Sequence, residues 1–244
     1  MTGALVIARR EFRSYWDSPI AYVFLAIFSG VAAFLFFDQF FARGIADLQP
    51  LFRFLPIYFL VLVPLITMRL WAEERRTGTE ELLLTFPMRV REAVLGKFLA
   101  AWGLLAIALF LTAPVVLTVR ARRGGRRRRR PRSRPRGRRL PGRPPHGGAY
   151  LAIGLFISAL TQHQIVAAVV TTFVFGILWI LGIPTIVAAM PEWLRPLAES
   201  VALGTHFRAV EIGVLEFSDL VYYFTVMVLF LVLNGVVVDA RRWK

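Results

Sequence analysis

Five stretches of this chain are too long and too evenly apolar to be surface helices of a soluble core. They run from Pro19 to Phe41, Phe54 to Leu70, Phe98 to Val119, Ile165 to Met190 and Leu220 to Val238. A helix crossing a ~30 Å hydrocarbon layer needs roughly 20 mostly apolar residues. The two charges these runs contain, Asp38 and Arg69, fall near their ends. Buried helices of a large soluble protein would carry polar faces at helical spacing, and these runs carry almost none. Pro56 and Pro64 lie inside the second run, which membrane helices tolerate where neighbours satisfy the freed carbonyls. A sixth apolar run, Ala149 to Leu160, has only 12 residues. At 1.5 Å per residue it covers about 18 Å, too short to span alone.

Composition agrees with a membrane protein once one segment is set aside. The 244 residues are 57% hydrophobic and 18% charged, against about 45–50% and 25% in soluble domains. The formal charge of +15 reads at first as the mark of a polyanion binder. Yet Arg120 to Arg143 holds 14 arginines and no acid, and outside it 16 basic residues face 15 acids. The absence of cysteine excludes disulfides and thiol chemistry.

The segment before the first span, Arg9 to Trp16, is charged and aromatic, and it does not read as a cleavable signal peptide. Leu5, Ala8, Phe12, Tyr15 and Trp16 share one side at helical spacing, with Val6 and Ile7 off that stripe. This predicts an interfacial helix over 1–18 on the cytoplasmic surface. The positive-inside rule places Arg9, Arg10 and Arg13 in the cytoplasm, together with the loop from Arg69 to Lys97 and the C-terminal Arg241-Arg242-Trp243-Lys244. Only the arginine block then faces the wrong side. Tyr22, Trp16, Trp71, Trp193 and Trp243 read as interfacial belt residues.

The loop over 71–97 is the most specific stretch. Thr77 and Glu80 have the spacing of a capping box, so a short helix is expected from about Gly78 to Phe86, stopped by Pro87. A second helix is expected from Val90 into the third span. On its residues alone the loop is either a solvated connector or a handle for a soluble partner. The segments Glu73-Glu74-Arg75, Gly78-Thr79-x-Glu81-Leu82-Leu83-Leu84-Thr85-x-Pro87 and Leu95-Gly96-Lys97-Phe98-Leu99 resemble the first cytoplasmic loop of ABC type-2 transporter permeases. Arg9-Arg10-Glu11-x-x-x-Tyr15-x-x-Ser18-Pro19-x-Ala21-Tyr22 is similar to the start of the gliding-motility-associated branch. Thr205-His206-Phe207, Gly213-Val214, Asp219-Leu220-Val221-Tyr222-Tyr223 and Arg241-Arg242-Trp243 resemble its last third. The likeness covers about 1–119 and 147–244.

What the resemblance implies is a six-span permease that pairs with a second permease subunit, as a homo- or heterodimer, in the inner or plasma membrane. Both termini would be cytoplasmic. An ABC ATP-binding subunit would dock on the loop through Glu73, Glu74, Arg75, Arg76, Thr77, Gly78, Thr79, Glu80, Glu81, Leu82, Leu83 and Pro87. ATP would bind on that partner, since this chain has no GxxxxGK[ST] loop and carries no expected cofactor of its own. No enzymatic activity is expected here. His146, His163 and His206 are scattered and predict no metal site. Ser29 and Ser158 read as small packing residues between helices, and Asn234 as an interhelical hydrogen-bonding residue.

Three readings are open for residues 120–146. One is a basic loop tethering nucleic acid or anionic lipid, the function alternative to transport, although no aromatic residues interleave for base stacking. Another is a bland linker. The third is a shifted reading frame. Alanine codons GCG read one base late become CGG, arginine, so a GC-rich gene encoding an apolar span would yield this Arg/Pro/Gly composition. The third also accounts for the shortened run 149–160. The expected architecture is therefore an all-α polytopic helical bundle in four parts. Residues 1–18 form the interfacial helix. Residues 19–119 hold spans one to three with the coupling loop 71–97. Residues 120–146 are the anomalous segment. Residues 147–244 hold a truncated fourth span and spans five and six.

Overall fold

A computed structural model describes residues 3–43, 49–80, 89–112, 145–203 and 217–241. Among these the chain is all-helical: α1 Gly3–Trp16, α2 Pro19–Arg43, α3 Gln49–Thr67, α4 Ala72–Thr77, α5 Val90–Leu111, α6 Pro145–Leu160, α7 Gln164–Ile180, α8 Pro184–Ala189, α9 Arg195–Val201 and α10 Phe217–Arg241.

α1 and α2 are separated by the elbow Asp17-Ser18, where the axis turns by 77°. Pro19 opens α2, a position where its missing N–H leaves no helical bond unmade. α1 lies along α5 in the same direction. Gly3 meets Glu92, Ile7 meets Gly96 and Phe12 meets Gly103. The glycines make this approach possible: a Cβ at Gly96 would lie 2.7 Å from the Ile7 Cβ and 2.8 Å from the Ala4 carbonyl oxygen. The buried residues of α1 are Ile7 and Tyr15, while Leu5 and Val6 are 53% and 56% exposed. The apolar stripe expected from spacing thus omitted Ile7 and included Leu5. The slot at Gly96, on another helix, decides which side of α1 is covered.

Among the described residues, three helical stretches are long and apolar enough to cross a membrane: Pro56–Thr77, whose apolar part ends at Leu70, then Val90–Leu111 and Ser218–Arg241. The bent pair of α1 and Pro19–Phe34 would be a fourth if counted as one span. These helices are compatible with a membrane protein. α10 supports this most directly, since Val221, Phe224, Val228, Val232 and Val236 are all exposed. A soluble monomer rarely exposes an apolar strip of that length.

The run expected as one span over 165–190 is broken. α7 ends at Ile180, and α8 restarts at Pro184 after a turn containing Gly182. Ile183 is extended, with φ −81° and ψ 120°, because the residue before proline is driven out of the helical region.

α6 is the centre of the bundle. Every residue from Ala149 to Leu155 is buried, and so are Ile157, Ser158 and Ala159. It packs against α3, α5, α7 and α10, with the Tyr150 ring edge-on to Phe175 at 4.9 Å and Phe156 edge-on to Phe230 at 5.6 Å. Its first turns stand beside the middle of two neighbours, as Gly147 abuts Leu105 and Phe59. Ser158 reaches the end of α3 at Met68. The rise between Gly147 and Ser158 is about 16 Å. Asn234 on α10 is fully buried, but neither of its amide atoms has a hydrogen-bond partner among the described residues. The interhelical bond expected of it is therefore not made there.

Candidate functional site

One end of the bundle gathers α1, the turn after α3, α4, the start of α5 and the ends of α6 and α10. Polar and charged side chains join them. α4 has no side-chain cap from its own N-cap residue, Trp71. Its cap comes from α6 instead. The Ser158 hydroxyl accepts hydrogen bonds from the N–H groups of Trp71 and Ala72, at 3.2 and 3.3 Å, and donates to the Met68 carbonyl at 3.1 Å. These are groups a helix start leaves orphaned. Four residues earlier, Gly154 leaves room for Thr67, whose side chain any Cβ there would overlap. Ser158 is thus a hydrogen-bonding hub and not merely a small spacer.

α4 ends where the sequence pattern predicts a helix to begin. Gly78, at φ +70°, is its left-handed C-cap, and its N–H reaches the Arg75 carbonyl. Left-handed backbone is the conformation glycine adopts without strain. The Thr77 hydroxyl turns back to the Glu73 and Glu74 carbonyls at 2.9 and 3.2 Å. Glu80 is taken by Arg75 at 3.4 Å and Arg241 at 3.5 Å. Thr79 and Glu80 are again helical. Glu81, Leu82, Leu83 and Pro87, with the rest of the helix expected to Phe86, lie outside the described residues.

The deepest feature is Lys97 on α5, which is 1% exposed. Its ammonium stands 2.8 Å from Glu74 Oε1 on α4 and 3.1 Å from Glu11 Oε1 on α1. It lies 4.9 Å from the centroid of the fully buried Trp71 ring, within cation–π range. Trp71 therefore belongs to this cluster and not to an interfacial belt. Arg10 approaches Glu74 from the rim at 3.9 Å. The other Glu74 oxygen, Oε2, is buried with no hydrogen bond among the described residues. Burial pushes the Glu74 carboxyl above the usual carboxylate range, an effect that Lys97 only partly offsets.

Two further contacts brace the same end. Arg69 pairs with Glu73 at 2.8 Å and donates to the Ser18 hydroxyl at the elbow. Arg75 donates to the Ala159 carbonyl at 3.5 Å. Burial, then the neighbouring Arg241, lowers the Arg75 guanidinium from its ordinary value, against the pull of Glu80. At the α5 start, Arg89 N–H donates to the Glu92 carboxylate at 3.4 Å, the Glu-to-N-cap half of a capping box.

Of the predicted site residues, the structure brings Glu73, Glu74, Arg75 and Glu80 into ion pairs, and leaves Arg76, Thr77, Gly78 and Thr79 exposed. Sequence reasoning did not single out Lys97, Glu11 or Ser158 as site residues. A lysine directly ahead of the uncharged run Phe98–Leu111 was the available signal, since lysine is almost never fully buried without a partner. Compared with known proteins, the chain matches no family model and no curated protein.

Proposed function

We propose that this chain is the permease subunit of an ABC type-2 exporter, of the gliding-motility-associated branch. In this reading it passes the force of ATP hydrolysis on a separate subunit into its membrane helices. The observation that carries the reading is the wiring of α4. This charged helix lies just past the apolar part of α3, with an exposed edge at Arg76–Thr79. Through Ser158 it is bonded to the central helix α6, and through Glu74 to α1 and α5. A partner pressing on that edge moves the core of the bundle. The lack of a phosphate loop in the sequence assigns ATP binding to the partner. The charge rule orients this end, with both termini, toward the cytoplasm.

The proposed subunit has six spans in the inner or plasma membrane and pairs with a second permease. α6 is the inner half of the fourth span, and the arginine block 120–146 stands where its outer half belongs. A shifted reading frame is the reading of that block which fits both sides of the break. Charge reversal at Glu73, Glu74 or Glu80 is expected to uncouple ATP hydrolysis from export when the chain is co-expressed with an ABC ATP-binding subunit that co-purifies with it. Unchanged export and unchanged ATPase co-purification in all three variants would reject the assignment.

A further inference from the structure

We infer that the Glu74–Lys97 ion pair is a breakable latch between α4 and the α1–α5 pair, and that Lys97–Glu11 is the half that stays closed. The inference rests on the proposed function only for the origin of the force on α4.

An ammonium offers three donors and can hold both carboxylates, but the two are not held alike. Glu11 rides on a 14-residue helix seated along α5 through Ile7 against Gly96 and Phe12 against Gly103. Glu74 rides on a six-residue helix whose buried residue is Ala72. One Glu74 oxygen meets Lys97, while the other is enclosed and, among the described residues, has no hydrogen bond. Turning α4 outward brings that oxygen to water. Arg10, 64% exposed and 3.9 Å from the Lys97-bound oxygen Oε1, can follow the carboxylate. Lys97 meanwhile keeps Glu11, so opening leaves no lone buried ammonium, the state that makes breaking most buried pairs so costly. Of the other anchors of α4, Ser158, the Ala159 carbonyl and Arg241 through Glu80 lie on α6 and α10, and Glu73 pairs with Arg69, which donates to Ser18 at the elbow. Opening at Glu74 therefore frees α4 from the Lys97 side chain of α5 while these anchors stay in place. A contact with a closed arrangement and an open one that is no worse solvated is the kind of two-state element through which a force is transmitted.

The test is amide hydrogen exchange on the full chain in lipid nanodiscs. Glu74→Gln removes a charge-assisted bond, so exchange over residues 72–80 is expected to rise about tenfold or more, while residues 3–16 stay as in the wild type. Glu11→Gln is expected to act the other way, loosening 3–16 more than 72–80. Both variants nearly preserve side-chain volume, which keeps the test independent of whether the harsher Lys97→Met folds. Unchanged exchange over 72–80 in Glu74→Gln, or equal loosening of both segments, would overturn the latch. Neither ATP nor a partner is needed. If exchange shows the latch and export is indifferent to charge reversal at Glu74, the latch stands and the transport reading falls.

Discussion

Ser158→Ala removes one oxygen atom and no packing volume of consequence, so it isolates the cross-helix cap of α4. The hydroxyl serves two buried N–H groups and one carbonyl. A buried donor left unpaired costs about 1–3 kcal/mol. Two donors at bond lengths of 3.2 and 3.3 Å are weaker than ideal, and the turn at 68–71 can relax. The expected loss is therefore about 2–4 kcal/mol, at or above the ~0.5–2 kcal/mol of an ordinary N-cap. For a chain of this size that lowers the melting temperature by roughly 5–15 °C. Ser29→Ala is the internal control. Its hydroxyl bonds the Leu25 carbonyl of its own helix at 2.6 Å, a bond whose loss leaves the helix ladder intact. Tryptophan fluorescence during heating in mild detergent reads both variants, and Trp71 sits inside the perturbed turn. If Ser158→Ala melts within about 2 °C of Ser29→Ala, the trans-cap does not hold α4 and the argument linking α4 to α6 fails.

Lys97→Met strands two carboxylates at 15% and 12% side-chain exposure, so a loss of about 3–5 kcal/mol is expected by the same melting assay. Gly96→Ala places a methyl against Ile7 and the Ala4 carbonyl, costs about 1–3 kcal/mol, and should speed tryptic cleavage at Arg9, Arg10 and Arg13 as α1 lifts from α5. Burial holds the folded Glu74 carboxyl above its ordinary value of 4.5, so the folded state binds its proton more tightly than the unfolded chain does. Stability is then expected to fall as pH rises from 4.5 through the folded value, and a melting series should find that decline flattened in Glu74→Gln. Translating the DNA of residues 120–146 in the other two frames should return an apolar segment, and its absence from both would remove the frame-shift reading.

The helices were legible in the sequence because twenty uncharged residues have few other places to go. Val90 as the start of α5 followed from Pro87 and the end of the loop, and α10 ends among the cations expected at the cytoplasmic face. Three of the misses share one physical origin. Ile7, Lys97 and Ser158 take their roles from atoms on other helices: the slot at Gly96, two carboxylates from distant segments, and the orphan N–H groups at Trp71 and Ala72. A pattern read along one helix holds no term for these. Gly78 punctuates differently. Glycine after a charged run is a stop signal, and it ends α4, a helix the spacing did not announce. Thr79 and Glu80 are helical again just past it, where the Thr77–Glu80 spacing puts a helix start.

The centrality of α6 changes what the arginine block can damage. The bonds α6 gives to α4 come from its last turn, the Ser158 hydroxyl and the Ala159 carbonyl. These stand about 16–18 Å along the helix from Gly147, on the far side of a fully buried stretch from Ala149 to Leu155. An interruption upstream of Gly147 therefore leaves the α4 assembly whole. On the proposed reading, docking of the ATPase and the passage of its stroke into the inner half of the bundle depend on residues the interruption does not touch. The outer half of a six-span bundle depends on the segment it replaces. Partner binding and export thus become separable in this chain: a copy carrying the block can hold its ATPase and still lack the upper wall of a route across the membrane.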